Sequence, residues 1–151
     1  MSVDVDQLKA EWVGKQFDEK EFVVTKEAAL EIALACGETD PRFTDPSHAD
    51  FQAPSGVTAH FTGGRVFPEA LLPVLRRGIG FDAGKRVAAL RPIRPGERLV
   101  GRSEIHDVYE KTGRSGSMLF FVHRMTFTNE RGESVSIVDW KMVVREPSKK
   151  D

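Results

Sequence analysis

A chain of 151 residues, 40% apolar and 30% charged, is long enough for one domain with a buried core, expected to span residues 1–151. Its 22 Lys and Arg against 23 Asp and Glu leave a formal net charge of -1, with the two signs interspersed, which excludes the basic stripe of a nucleic-acid binder. One cysteine, Cys36, excludes an internal disulfide or a cysteine-based zinc cluster, and no apolar run approaches the ~20 residues of a membrane span.

Residues 6–17 read as a short helical or turn segment around Leu8, Trp12, Val13 and Phe17, wrapping the outside of the main fold. Asp4, Asp6, Lys9 and Glu11 leave no apolar core of signal-peptide type there, so the expected location is the cytoplasm. Phe22-Val23-Val24 is a brief strand. Thr25 then serves as an N-cap, with Glu27 in the first turn, where negative charge suits the helix dipole. From Lys26 to Cys36 the pattern is apolar almost all round, which predicts a buried central helix with Cys36 as a small buried thiol. Gly37 stops it, because glycine takes the left-handed conformation without strain.

Pro41, Pro46 and Pro54 break regular structure and make a long crossing segment to Gly56. A second short helix is expected over 68–77, with Pro68 suited to its first turn and Pro73 working against it. The second half is rich in Val, Ile, Phe and Thr, and predicts strands over 85–93, 98–109, 118–129 and 134–145. Turn signals separate them at residues 94–97, 111–116 and 129–132, so consecutive strands are expected to pair as antiparallel hairpins. Met118, Phe120 and Val122 alternate, as do Met125 and Phe127. One apolar helix and one sheet face must hide each other, which gives an α+β architecture: a curved antiparallel sheet around a central helix.

The chemistry sits after that helix. Gly37-Glu38-Thr39-Asp40-Pro41-Arg42-Phe43-Thr44-Asp45 resembles Gly-Asp-x-Asn-Pro-x-His-x-Asp, the signature of the MaoC-like, hotdog-fold hydratases and dehydratases of acyl thioesters. Ala53-Pro54-Ser55-Gly56 is similar to the Ala-Pro-Pro-Thr segment of the N-terminal-type (FAS1-like) dehydratase domains of that family. Arg91 to Leu99 looks like their Arg-Pro-x-x-Pro-Gly-Asp-x-Leu segment, and Val108 to Gly116 like their central hairpin. The order of these motifs along the chain is more specific than any one of them.

This sequence departs from the signature at three places: Glu38 stands for the Asp, Asp40 for the Asn and Phe43 for the His. Adding water to a 2-enoyl thioester needs one group to take a proton from water, another to protonate the α-carbon, and N–H donors for the thioester oxygen. In the family the Asp and His are the acid-base pair. Phe43 can do neither job. Glu38 keeps a carboxylate, but one extra methylene moves it by about 1.5 Å, and an error of that order can cost ~100-fold in rate.

Each candidate has a plain alternative. Glu38 and Asp40 are either a modified acid site or a solvated turn before Pro41, and without a base at 43 the turn is the better reading for independent catalysis. Phe43 is a hydrophobic plug or part of an acyl-binding wall. Ser55 and Gly56 either present backbone N–H groups to a thioester carbonyl, as the matching loop does in the family, or form a turn packed on the sheet. His48 and His60 are nearest to replacing the lost base, His60 being four residues past Gly56, although a satisfied structural histidine is the simpler reading of both. His106 and His123 match no motif. Gly63-Gly64 reads as a turn, since no Lys-Ser or Lys-Thr follows it.

The resemblance therefore implies an acyl-thioester hydratase/dehydratase-family protein, acting on 2-enoyl-CoA or an enoyl carrier protein without a cofactor or metal. It is expected to form the substrate-binding half of a hotdog dimer, homotypic or with a catalytically complete subunit. The alternative is a non-enzymatic homodimer that binds acyl-CoA or another apolar ligand.

Overall fold

The computed structural model describes residues 3–114 and 116–146. Asp4 caps helix α1 (Val5–Trp12), accepting the Gln7 N–H at 3.0 Å, and the chain turns directly into strand β1 (Gln16–Val23). The sequence QFDEKEFV is too polar to read as a full strand, so only its end was expected; it is an edge strand, paired along β3 (Arg98–Gly113). Helix α2 (Lys26–Ala35) starts as expected, with Thr25 Oγ1 accepting the Ala28 N–H at 3.1 Å. It stops at Gly37, whose φ of 73° lets the Glu38 N–H return to the Ala33 carbonyl.

Five strands form one antiparallel sheet in the order β1-β3-β4-β5-β2, where β2 is Ile79–Ala89, β4 Gly116–Thr128 and β5 Ser134–Arg145. This is the curved sheet wrapped on a helix that the resemblance implied. Two joins are hairpins, β3 to β4 and β4 to β5. The first is tighter than the 111–116 turn signal, because pairing runs on to Gly113 opposite Gly116; Ser115 lies outside the described residues. In the second, Asn129 Oδ1 accepts the N–H groups of Arg131 and Glu133, both at 3.0 Å.

The expected hairpin between β2 and β3 does not exist. β2 lies at the far edge against β5, and residues 90–97 cross the sheet instead of turning back. Pro92 and Pro95 have no N–H for a ladder, while the Leu90 and Arg91 N–H groups both bond the Val135 carbonyl, which carries the chain sideways. The helix expected over 68–77 is a short 3-10 turn (Glu69–Leu71) followed by one α-turn, α4 (Leu72–Leu75), with Pro73 in its first turn. The 37–56 crossing contains one more turn, helix α3 (Pro41–Thr44).

The inner face of the sheet carries two apolar clusters. Under α2, Ala29 clusters with Leu99, Phe127, Val135 and Val138; toward α1 and the 67–71 segment, Leu8, Phe67 and Leu71 meet Ile105, Val108, Phe121 and Val144. The inward residues of β4 are therefore the odd ones, and Met118, Phe120 and Val122 belong to the opposite face. Ala29 and Ala33 are fully buried, but one sheet covers only one side of a helix. Leu34 is 61% exposed and Cys36 is exposed too, so neither the all-round burial of this helix nor the buried thiol is found. Among the described residues no helix is long and apolar enough to cross a membrane.

Candidate functional site

Pro54 ends the crossing segment and starts a 3-10 helix (Ser55–His60), whose capping position offers no side-chain acceptor to the first N–H groups. Three contacts fix this helix and its approach. The Gln52 N–H bonds the Arg42 carbonyl at 2.9 Å, the Ala53 N–H bonds the Ile93 carbonyl at 2.8 Å, and Thr58 Oγ1 meets Ser136 Oγ at 2.8 Å with both residues fully buried. Between these elements lies a cavity of about 250 Å³ lined by Phe43, Ala53, Ser55, Leu90, Ile93 and Ser136, among others. Phe43 and Ser55, far apart in sequence, thus share one wall system.

The other expected site residues lie differently. Asp40 caps α3, accepting the Arg42 N–H at 2.9 Å and the Arg42 guanidinium at 3.0 and 2.7 Å. Those hydrogen bonds hold its carboxyl below the usual carboxylate range, so it is an anion committed to a helix start. Glu38 is half-buried at the α2 terminus, and neither it nor Asp40 lines the cavity. Gly56 is exposed in the first turn of the 3-10 helix and His60 exposed at its last residue, outside the cavity. His48 Nδ1 accepts the Asp50 N–H at 3.0 Å, a local loop contact, and His48 is also absent from the cavity lining. His106 is on the sheet surface near Glu104.

A histidine without any motif occupies the more unusual position. His123 is 6% exposed, at the centre of the inner face, paired across strands with Ile105 and Trp140 and lying 5.6 Å from the Phe17 ring and 6.1 Å from the Phe67 ring. Its Nε2 has no hydrogen-bond partner among the described residues. Burial, with help from the Lys85 ammonium, pushes its pKa down to about 4, so the imidazole is neutral near pH 7. A single polar residue between Phe121 and Met125 on an apolar strand face was the only hint the sequence offered. Among the described residues no cluster of three His, Cys, Asp or Glu is placed to hold a metal ion.

Relatives in structure and sequence agree on one family. The chain matches one subunit of the ChsH1-ChsH2 complex of Mycobacterium tuberculosis with a TM-score of 0.69, at 21% identity over 97% of this chain and 91% of that one. It matches the HadBC (3R-hydroxyacyl-ACP dehydratase) complex of the same organism at 0.59, with 22% identity over 87% of this chain and 93% of that one. A MaoC-like dehydratase of Rhodospirillum rubrum follows at 0.57, with 22% identity over 89% of this chain and 92% of that one. At such identities these likenesses speak for the fold, and no curated protein matches the sequence significantly. The sequence model of the FAS1-like dehydratase domain region matches residues 11–138, nearly the whole described fold. The chain therefore belongs to the FAS1-like branch of the MaoC-like, hotdog-fold dehydratases.

Proposed function

We propose that this chain is the substrate-binding half of a hotdog hydratase/dehydratase, holding a 2-enoyl-CoA or enoyl-carrier-protein thioester while a second hotdog subunit supplies the acid-base pair. The observation that carries this reading is the wall of the 250 Å³ cavity, which Phe43 and Ser55 both line and to which, among the described residues, no carboxylate or imidazole belongs. The cavity lining is mostly apolar, as an acyl chain requires. Backbone N–H groups of Ser55 and Gly56 would receive the thioester carbonyl, and Phe43 would pack on the acyl group. Glu38 and Asp40 would keep the shape of the loop, and His60 would lie at the outer rim. The reaction needs no cofactor, and the reading places the protein in the cytoplasm.

Pairing is supported from two sides. ChsH1-ChsH2 and HadBC are complexes of two different chains. The β2 edge of this chain also leaves Ile79 55% and Phe81 45% exposed, on a strand whose outer backbone groups have no neighbour in the sheet. We assign that edge to the second subunit.

The test is a hydration assay on 2-enoyl-CoA with the purified chain alone and mixed with a hotdog subunit that carries the intact Gly-Asp-x-Asn-Pro-x-His pattern. No turnover alone and turnover on mixing is the expected result. Strong turnover by the lone chain that survives combined replacement of Glu38 and Asp40 would contradict the proposed division of labour.

A further inference from the structure

The outer face of the sheet, opposite α2, changes character from one end to the other. Cross-strand register places Glu104, Arg124, Asp139 and Arg86 in one row over β3, β4, β5 and β2. Signs alternate along that row, and the Arg124 guanidinium donates to both Asp139 oxygens, at 2.7 and 2.8 Å. A solvated antiparallel face satisfies itself in this way. Nearer the β3–β4 hairpin, the same four strands place Tyr109, Phe120, Val143 and Phe81 in a row instead. No charged side chain interrupts it. Alternation along each strand puts this row on the outside, since Val108, Phe121 and Val144 belong to the inner cluster.

The row is level, and cations surround it. The Tyr109 and Phe120 rings stack at 4.8 Å with 7° between their planes, both half-buried, and Val143 lies between Phe120 and Phe81. Lys111 Nζ is 5.5 Å from the centres of both the Tyr109 and Phe120 rings, and the Arg145 guanidinium is 5.8 Å from that of Phe81. Lys141 is exposed in the next row, opposite Val122. Among the described residues none of these three cations makes an ion pair. The carboxylate of the adjacent row, Asp107, is 3.6 Å from Lys9 Nζ. A cation over a ring face is favourable by itself, but three without a carboxylate leave a positive field that reaches into solvent. Strands ~4.8 Å apart make the row about 14 Å wide, room for two or three apolar side chains of a docked segment.

We propose that this face docks a short acidic segment of a partner protein, whose apolar side chains cover Tyr109, Phe120 and Val143 while its carboxylates meet Lys111, Lys141 and Arg145. Charge decides between occupants. A second copy of the chain laid on this face would set the same three cations against their own kind, which costs free energy. A lipid surface takes in side chains that project, whereas these rings lie stacked and half-buried. Pairing through the β2 edge leaves the face open, because edge hydrogen bonds lie in the plane of the sheet and side chains stand out of it. The docking surface therefore goes beyond the thioester reading and does not require it.

Tyr109 is the only tyrosine in the chain, so ring-labelled tyrosine gives a single magnetic-resonance reporter inside the patch. The full chain is titrated with a synthetic amphipathic peptide of leucine and glutamate, and with its counterpart carrying lysine for every glutamate. The glutamate peptide is expected to shift the Tyr109 ring signals saturably and the lysine peptide to leave them in place. Lys111→Glu combined with Lys141→Glu should weaken the glutamate peptide at least about tenfold, and both side chains are exposed, so the fold is spared. Absence of a saturable shift, equal shifts from the two peptides, or undiminished affinity in the double variant would each overturn the proposal. A response to phosphatidylserine vesicles without one to the glutamate peptide would overturn it too, making the face a membrane contact. Neither substitution touches the Phe43 cavity or the β2 edge, so the hydration assay reads the thioester proposal separately.

Discussion

His123 is a titratable side chain only 6% exposed, and that burial has a measurable price in acid. Its ordinary pKa is near 6.5 and its folded value about 4, so between those values the unfolded chain binds more protons than the folded one. Stability then rises with pH across this window and is lost as pH falls through it. From pH 7 to pH 5 the loss is about 2 kcal/mol by linkage, before carboxylate titration dominates. Chemical denaturation of His123→Phe at the two pH values should lack most of that difference. A slope unchanged by the substitution would mean that the imidazole protonates without hindrance in the native protein. Sequence alone could place His123 on a strand among apolar neighbours. It could not show that residues 59–66 are fastened by hydrogen bonds to Asp18, Lys20 and Lys85, which come from two different edges of the sheet.

At the scale of elements, the 3-10 helix from Ser55 to His60 opens on the Phe43 cavity at Ser55, and one buried contact holds it to β5. Replacing Thr58 by Val strands the Ser136 hydroxyl without a partner and should cost about 1–3 kcal/mol in a denaturant melt. Adding Ser136→Ala should recover most of that loss, since two apolar groups of similar shape leave nothing unsatisfied. A double variant as unstable as the single one would show that packing, not the hydrogen bond, holds the element. Locally encoded features were legible beforehand: the Thr25 cap, the Gly37 stop and the hairpin at Asn129 to Gly132 each depend on a few adjacent residues. The extent of β1 and the position of β2 were not, because a polar strand such as QFDEKEFV exists only by pairing with a partner some 80 residues away. The motif loop lies between these cases. Its resemblance marked Phe43 and Ser55 together, while the Asp40–Arg42 fork and the retreat of Glu38 from the cavity needed the folded chain.

For the whole molecule, the exposed β2 edge is the feature on which the proposed pairing rests. β2 presents Ile79, Gly80 and Phe81 on a strand with one free side, an arrangement that folded proteins usually cover or charge. Phe81→Glu should weaken pairing with a second hotdog subunit by tenfold or more, about 1.4 kcal/mol, in sedimentation or light scattering. Undiminished association would move the interface elsewhere. The strand order has a different consequence for how the chain comes together. The three middle strands of the sheet, β3, β4 and β5, are contiguous in sequence from Arg98 to Arg145, whereas both edge strands and α2 come from the two thirds of the chain that a ribosome releases earlier. Early in synthesis, Ala29, Ala33, Ile79 and Phe81 have no surface to land on. The meander of the last third must form before the first two thirds can be sheltered, so nascent chains paused before Arg98 should be the species most dependent on chaperones.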